Sequence, residues 1–277
     1  MLEVDDLRVT LPGATGPVEA VRGVSFTVAA GEIVGIVGES GSGKSMTALA
    51  VSQLVADPGR VEATRLRFLG TDLLTSARAP LRRLLGTSLA MVFQDPMSSF
   101  NPAMRMGDQL AEVATEHAGM RRRDARRLAA ERLAAVRITD PERRVRQYPY
   151  QFSGGMRQRA MIGMGLMLTP RLIIADEPTT ALDVTVQRQV LDLLRAIRDT
   201  DGASILFISH DISVVAELCD RVLVMYRGRI VEEVRADDLS RAAHPYTRAL
   251  LAAVPHMTTP LDRPLATASD PVSYTHL

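Results

Sequence analysis

Apolar residues in this chain fall into short runs divided by glycine and proline turns. Residues 7–10, 24–28 and 33–37 read as strands. The last of these runs into a glycine-rich loop, after which Met46, Ala48, Leu49, Ala50, Leu54 and Val55 recur at helical spacing and predict a helix over 45–55. From 101 to 151 the pattern turns helical and polar, as in an inserted helical subdomain. Strand-length apolar runs return at 171–176, 204–209 and 221–225, with an amphipathic helical pattern over 184–198. Strands alternating with helices predict an α/β fold, a mostly parallel sheet covered by helices. No internal repeat is visible, so one such unit is expected. From Pro255 onward Thr, Pro, Ala and Asp dominate, the composition of a loop or extended tail.

Composition narrows the function classes. With 277 residues, 46% of them hydrophobic, the chain can bury a sizeable core. A net charge of +1 from 33 basic and 32 acidic residues leaves no global field directed at nucleic acid or an anionic membrane. The single cysteine, Cys219, excludes a disulfide framework within this stretch and fits a reducing compartment. The first residues carry no secretion signal, and every apolar run falls short of the roughly 18 residues a membrane span needs. If the protein works at a membrane, other chains are expected to cross it. Ten arginines lie between Arg121 and Arg146. They read as a solvated helix face, and with no aromatic residue among them nucleic acid is not an expected partner. Lys44 is the only lysine. A drift from Lys to Arg stops where a compact ammonium is needed among phosphates, because the guanidinium fork is too broad.

Lys44 stands in a motif. Gly38-Glu39-Ser40-Gly41-Ser42-Gly43-Lys44-Ser45 matches GxxxxGK[ST] between a predicted strand and a predicted helix. There the glycines let backbone N–H groups turn toward phosphate oxygens, the helix start adds its positive dipole end, Lys44 reaches the β- and γ-phosphates, and Ser45 ligates Mg²⁺. Met46 follows at the start of the helix and completes the ATP-binding set. A second element is the apolar run 172–175 ending in Asp176-Glu177. Asp176 would hold Mg²⁺ through water, and Glu177 would orient and polarise the attacking water as general base.

Phe152-Ser153-Gly154-Gly155-Met156-Arg157-Gln158-Arg159 resembles the signature sequence of the ABC ATPases, which other P-loop enzymes lack. Further marks follow the family order: Gln94 in Phe93-Gln94-Asp95-Pro96 looks like the Q-loop, Ala181-Leu182-Asp183 like the D-loop, and Ser209-His210-Asp211 like the switch histidine. The resemblance implies an ATPase core over 1–93 and 153–240, with an N-terminal antiparallel β subdomain and the Q-loop and helical subdomain inserted at 94–152. It implies ATP and Mg²⁺ as ligands, with Gln94 joining Ser45 and Asp176 at the metal. His210 would contact the γ-phosphate, and Asp183 would communicate across a dimer interface. Ser153, Gly154, Gly155 and Gln158 would meet the nucleotide of a second cassette. Where the family usually stacks an aromatic residue on adenine, this chain has Leu11, which implies a weaker, less selective base contact.

The resemblance narrows at 91–102 and at His244-Pro245-Tyr246-Thr247-Arg248, which look like the dipeptide, oligopeptide and nickel importer branch. It then implies a motor subunit of a bacterial importer, peripheral on the cytoplasmic face of the inner membrane. Its partners would be two transmembrane permeases, a second ABC ATPase and, indirectly, an extracytoplasmic solute-binding protein. An exporter or lipoprotein-release ATPase and a non-transport ABC ATPase are the alternatives. Residues 241–271 would be the branch's C-terminal extension, and 272–277 resemble the translation of a library adapter.

Overall fold

The computed structural model describes residues 1–14, 16–180 and 182–254. The chain forms two compact units, one from Met1–Val28, Ile33–Gly70 and the chain from Phe207 onward, the other from Ala29–Glu32 and Thr71–Leu206. The expected tail from Pro255, the adapter-like end and Ala181 of the D-loop lie outside the described residues.

The first unit opens with strand Leu2–Leu11, which pairs antiparallel with Val18–Val28 on one side and with Arg60–Glu62 and Arg65–Phe68 on the other. Its alternation slips phase: Leu2 and Val4 are buried, then Leu7 and Val9. A register shift between Val4 and Leu7, with Asp6 at φ 48°, absorbs the extra residue, so all four side chains reach one face. Burying each such Val or Leu contributes about 1.5–3 kcal/mol.

In the same unit the strand Ile33–Val37 is buried throughout and pairs parallel with Arg221–Tyr226. That strand turns back through Arg227 (φ 46°) and Gly228 (φ 81°) into Arg229–Arg235. Two positive φ values in a two-residue loop are what a twisted hairpin demands. Gly35 has no side chain because a Cβ there would lie 2.9 Å from Cys219 Sγ, under helix Ile212–Leu218. The predicted helix after the glycine loop spans Lys44–Val51, ending four residues short of Val55: Ser52 caps it, and Gln53 turns to φ 58°.

In the second unit Leu89–Val92 and Leu172–Asp176 pair in parallel. Helices Met106–Ala118 and Arg122–Ala135 form a hairpin at Gly119 (φ 64°). They bury Met106, Leu110, Ala111 and Ala114, with Ala125, Ala129, Ala130 and Leu133 from the second helix. The small alanines permit close approach. Most of the arginine run is exposed as expected, with Arg122 and Arg126 paired to Asp108 and Arg127 to Glu131, whereas Arg132 and Arg144 are half-buried. Helix Val184–Asp201 buries Val190, Leu191, Leu194 and Ile197 at helical spacing and stops at Gly202, φ 65°. The fully buried strand Ser204–Ser209 carries the chain back to the first unit.

Candidate active site

The loop 38–45 lies in the first unit, between Ile33–Val37 and Lys44–Val51 as its motif requires. Gly43 (φ 103°) is the helix N-cap and supplies no side-chain cap to the first turn. A Cβ on Gly43 would lie 2.5 Å from Ala20 O, whereas one on Gly41 (φ 79°) would touch nothing, so there only the backbone conformation demands glycine. Lys44 is 4% exposed; its Nζ donates to Gly38 O at 2.7 Å and Glu39 O at 2.8 Å. The Ser42 hydroxyl is buried with no hydrogen-bond partner. A buried donor inside a ring of glycines, next to a buried ammonium, fits a phosphate group, which would satisfy the hydroxyl and exchange oxygens with the carbonyls now holding Lys44. Ser40 is exposed, and Ser45 and Met46 are half-buried at the helix start.

Leu11 and Val18 are cross-strand neighbours in this unit; Val18 is 51% exposed. His210, also in this unit, is exposed. The residues beside it make the local structure: Asp211 N donates to Ser209 Oγ at 3.0 Å, and Asp211 Oδ1 accepts from Ser213 N and Ser213 Oγ at 2.9 and 2.6 Å. Asp211 thereby caps helix Ile212–Leu218 and sets His210 on the turn before it.

In the second unit Asp176 ends its strand buried, 6% exposed, and Glu177 follows at φ 46°. The left-handed turn directs the two carboxylates differently. Gln94 Nε2 donates to Glu177 Oε2 at 3.0 Å, and Thr180 Oγ1 donates to the same oxygen at 2.9 Å. With the Gln94 amide nitrogen engaged, its oxygen is the end that can face a cation. Within this unit Gln94 and Asp176 offer hard oxygen donors, the kind Mg²⁺ accepts. Thr180 was not among the expected residues; its hydroxyl three positions after Glu177 was the available signal.

Ser153 caps helix Gly154–Gly165, its Oγ accepting from Met156 N at 3.3 Å. A Cβ on Gly154 would meet nothing within 4 Å, but one on Gly155 would lie 2.6 Å from Val186 Cγ1. Gly154 therefore leaves the helix start open to a ligand, and Gly155 serves packing. Gln158 is 2% exposed, on the buried face of the same helix. One turn beyond the cap, helical periodicity carries its side chain there. Asp183 is exposed and caps helix Val184–Asp201, accepting from Val186 N at 3.0 Å.

Residues 21–180 match the family model described as "ABC transporter". The chain is 48% identical over 257 residues to the probable peptide ABC transporter ATP-binding protein y4tR of Sinorhizobium fredii, covering 92% of this chain and 77% of that one. It is also 48% identical over 256 residues to the dipeptide transport ATP-binding protein DppD of Haemophilus influenzae, covering 92% and 78%. Its fold is similar to the dimeric post-hydrolysis structure of the ATP-binding cassette MJ0796 bound to ADP and Pi. There the TM-score is 0.74 at 24% identity, over 85% of this chain and 99% of that one.

Proposed function

Because the chain belongs to the ABC transporter family of ATP-binding proteins, we propose that it is the ATP-hydrolysing motor subunit of a bacterial importer for peptides or related small solutes. The observation that carries the reading is the phosphate cradle, a buried, unpartnered Ser42 hydroxyl beside a buried Lys44 within a glycine loop. The transport half is supported by relatives named for peptide and dipeptide transport and by the helix Pro245–Ala252 that follows His244.

In this reading Lys44 leaves the carbonyls of Gly38 and Glu39 for the β- and γ-phosphate oxygens, and Ser42 donates its hydroxyl to phosphate. Gly38, Ser40, Gly41, Gly43 and Met46 shape the loop and the helix start around the nucleotide, and Leu11 packs on the base. Bound Mg²⁺ neutralises phosphate charge, and the oxygens of Ser45, Asp176 and Gln94 would hold it. Glu177, its carboxylate oriented by Gln94 and Thr180, accepts a proton from the attacking water. The new bond forms between water oxygen and γ-phosphorus, the bond to the β-phosphate oxygen breaks, and ADP and inorganic phosphate result. His210 contacts the γ-phosphate. Ser153 and Gly154 present an open helix start to the nucleotide of a second cassette, and Asp183 lies at that interface.

The partners are then a second ATPase and two permeases, with a solute-binding protein acting through the permeases and no nucleic acid. Among the described residues no helix is long and apolar enough to cross a membrane. The subunit would sit on the cytoplasmic face, held by its permeases. The domain limits proposed from sequence, 1–93 with 153–240, 94–152 and 241–271, complete this reading.

Tagging the chain in its native host and identifying what co-purifies from mildly extracted membranes tests it. Two multi-span permeases and a second ATPase are expected. Recovery only from the soluble fraction, alone or with ribosomes or DNA, would refute the transport role and favour a non-transport ATPase. Recovery with lipoprotein-release or export components would favour that alternative.

A further inference from the structure

Tyr246 is fully buried near the end of the described chain, 207 positions from Glu39, and its hydroxyl accepts the Glu39 N–H at 2.9 Å. That N–H belongs to the same peptide group as the Gly38 carbonyl, which receives the Lys44 ammonium at 2.7 Å. One peptide plane of the phosphate loop is thus held from both sides, by the catalytic-site lysine at its oxygen and by the phenol at its nitrogen. Glu39 O takes a second bond from Lys44 and one from Ser42 N at 3.2 Å.

The segment around Tyr246 is arranged to place that phenol. Glu232 Oε1 accepts from Ala243 N at 2.7 Å and His244 N at 3.2 Å, fixing the entry of the turn. His244 Nδ1 caps the helix by accepting from Tyr246 N, and Pro245 starts the first turn with its φ already set. The Tyr246 ring packs on Tyr226, centroids 4.4 Å apart and tilted by 43°. Burial pushes the phenol up to about 12, so its hydroxyl stays neutral at any ordinary pH.

We propose that Tyr246 is a positioning residue for nucleotide binding, a strut from the C-terminal helix that fixes the Gly38–Glu39 peptide so that Lys44 can exchange its carbonyl partners for phosphate oxygens while the loop keeps its shape. The inference rests on the reading of residues 38–45 as the phosphate site. Without the hydroxyl, the Glu39 N–H loses its protein partner. The peptide is then free to rotate when the lysine leaves, and the loop must be ordered at the moment of binding.

The test uses the full chain with ADP as the probe, its affinity measured by calorimetry. Tyr246→Phe keeps the ring on Tyr226 and removes only the acceptor. We expect the ADP Kd to rise about two- to tenfold, the range for one net hydrogen bond. The melting temperature without nucleotide should fall by no more than the loss of that one hydrogen bond predicts, and the ATPase KM should rise more than kcat falls. Tyr226→Leu removes ring packing but leaves the hydroxyl, and is expected to lower the melting temperature with ADP affinity retained. Unchanged ADP affinity in Tyr246→Phe overturns the strut. So does a loss of affinity that tracks the loss of melting temperature in both variants, since the phenol would then be core packing alone. Failure of the wild-type chain to bind ADP would overturn the phosphate-loop reading itself, and the strut with it.

Discussion

Gln94 and Glu177, 83 positions apart in sequence, are joined by a 3.0 Å hydrogen bond from the amide nitrogen to a carboxylate oxygen. The same oxygen takes the Thr180 hydroxyl, so two donors fix which way the carboxylate points. A general base must be aimed before it can act. Glu177→Gln should lower ATP hydrolysis about 10²- to 10⁴-fold while nucleotide binding persists, read by phosphate release against ADP affinity. Gln94→Ala should lower it less, and the double variant should fall short of the sum, because both substitutions act on one carboxylate. Additive losses would mean that Gln94 does not act through Glu177.

Lys44 tests the phosphate cradle. It is nearly inaccessible and makes two short bonds to loop carbonyls, in a space that fits a compact ammonium. Lys44→Arg keeps the charge and adds a planar fork. ADP affinity should fall by on the order of 1–3 kcal/mol, the scale of a charged hydrogen bond lost. Retained affinity would show that charge alone suffices and that the loop adapts.

The two glycines of the signature helix should behave differently. Gly155→Ala drives a methyl group into Val186, and such overpacking costs about 1–3 kcal/mol. Gly154→Ala meets no neighbour within 4 Å, so the fold should be untouched. If Gly154 keeps the helix start open for the phosphate of a second cassette, its substitution lowers cooperative ATP hydrolysis without moving the melting temperature. Wild-type turnover in Gly154→Ala would remove that role.

Runs whose burial is complete were legible from sequence. Strands 33–37 and 204–209 have the predicted bounds, because an unbroken apolar run of that length has few other places to go. The strand Arg65–Phe68 was missed: only Leu66 and Phe68 are buried, and two apolar residues among arginines make too short an alternation to read. Leu89–Val92 was missed for its similar brevity. At the site, motifs with local geometry, Lys44 in its loop and Ser153 at its cap, were readable. A partner fixed by tertiary packing was not: the Tyr246 hydroxyl found a backbone N–H that no spacing rule connects to it.

Glu232 gives the C-terminal segment a pH dependence. Burial works to raise its pKa, but the nearby Thr247 side chain and the hydrogen bonds from the N–H groups of Ala243 and His244 outweigh it and hold the carboxyl below the usual glutamate range. A folded value below the unfolded one means the stabilisation is fully present above the unfolded pKa, about 4.3, and is lost as pH falls through the folded value. Glu232→Gln should therefore melt below wild type at about neutral pH, and the gap should close below about pH 4. A gap of constant size across that range would mean that the charge of Glu232 is not what holds the turn.

Leu11 sets the expectation for the base. It pairs across the strands with Val18, itself half exposed, and together they offer an apolar edge with neither a π-face nor a hydrogen-bonding group. Such an edge removes base surface from water without reading the purine's donors and acceptors, so ATP and GTP should bind with similar affinity. Base–aromatic stacking contributes about 1–3 kcal/mol and tolerates either purine. Leu11→Tyr should therefore strengthen binding of both nucleotides by up to that amount while leaving their ratio near the wild-type value. Calorimetric titration of both nucleotides into both proteins distinguishes the outcomes. A wild-type chain with strict ATP preference, or a tyrosine variant with no gain, would place the base elsewhere than on Leu11.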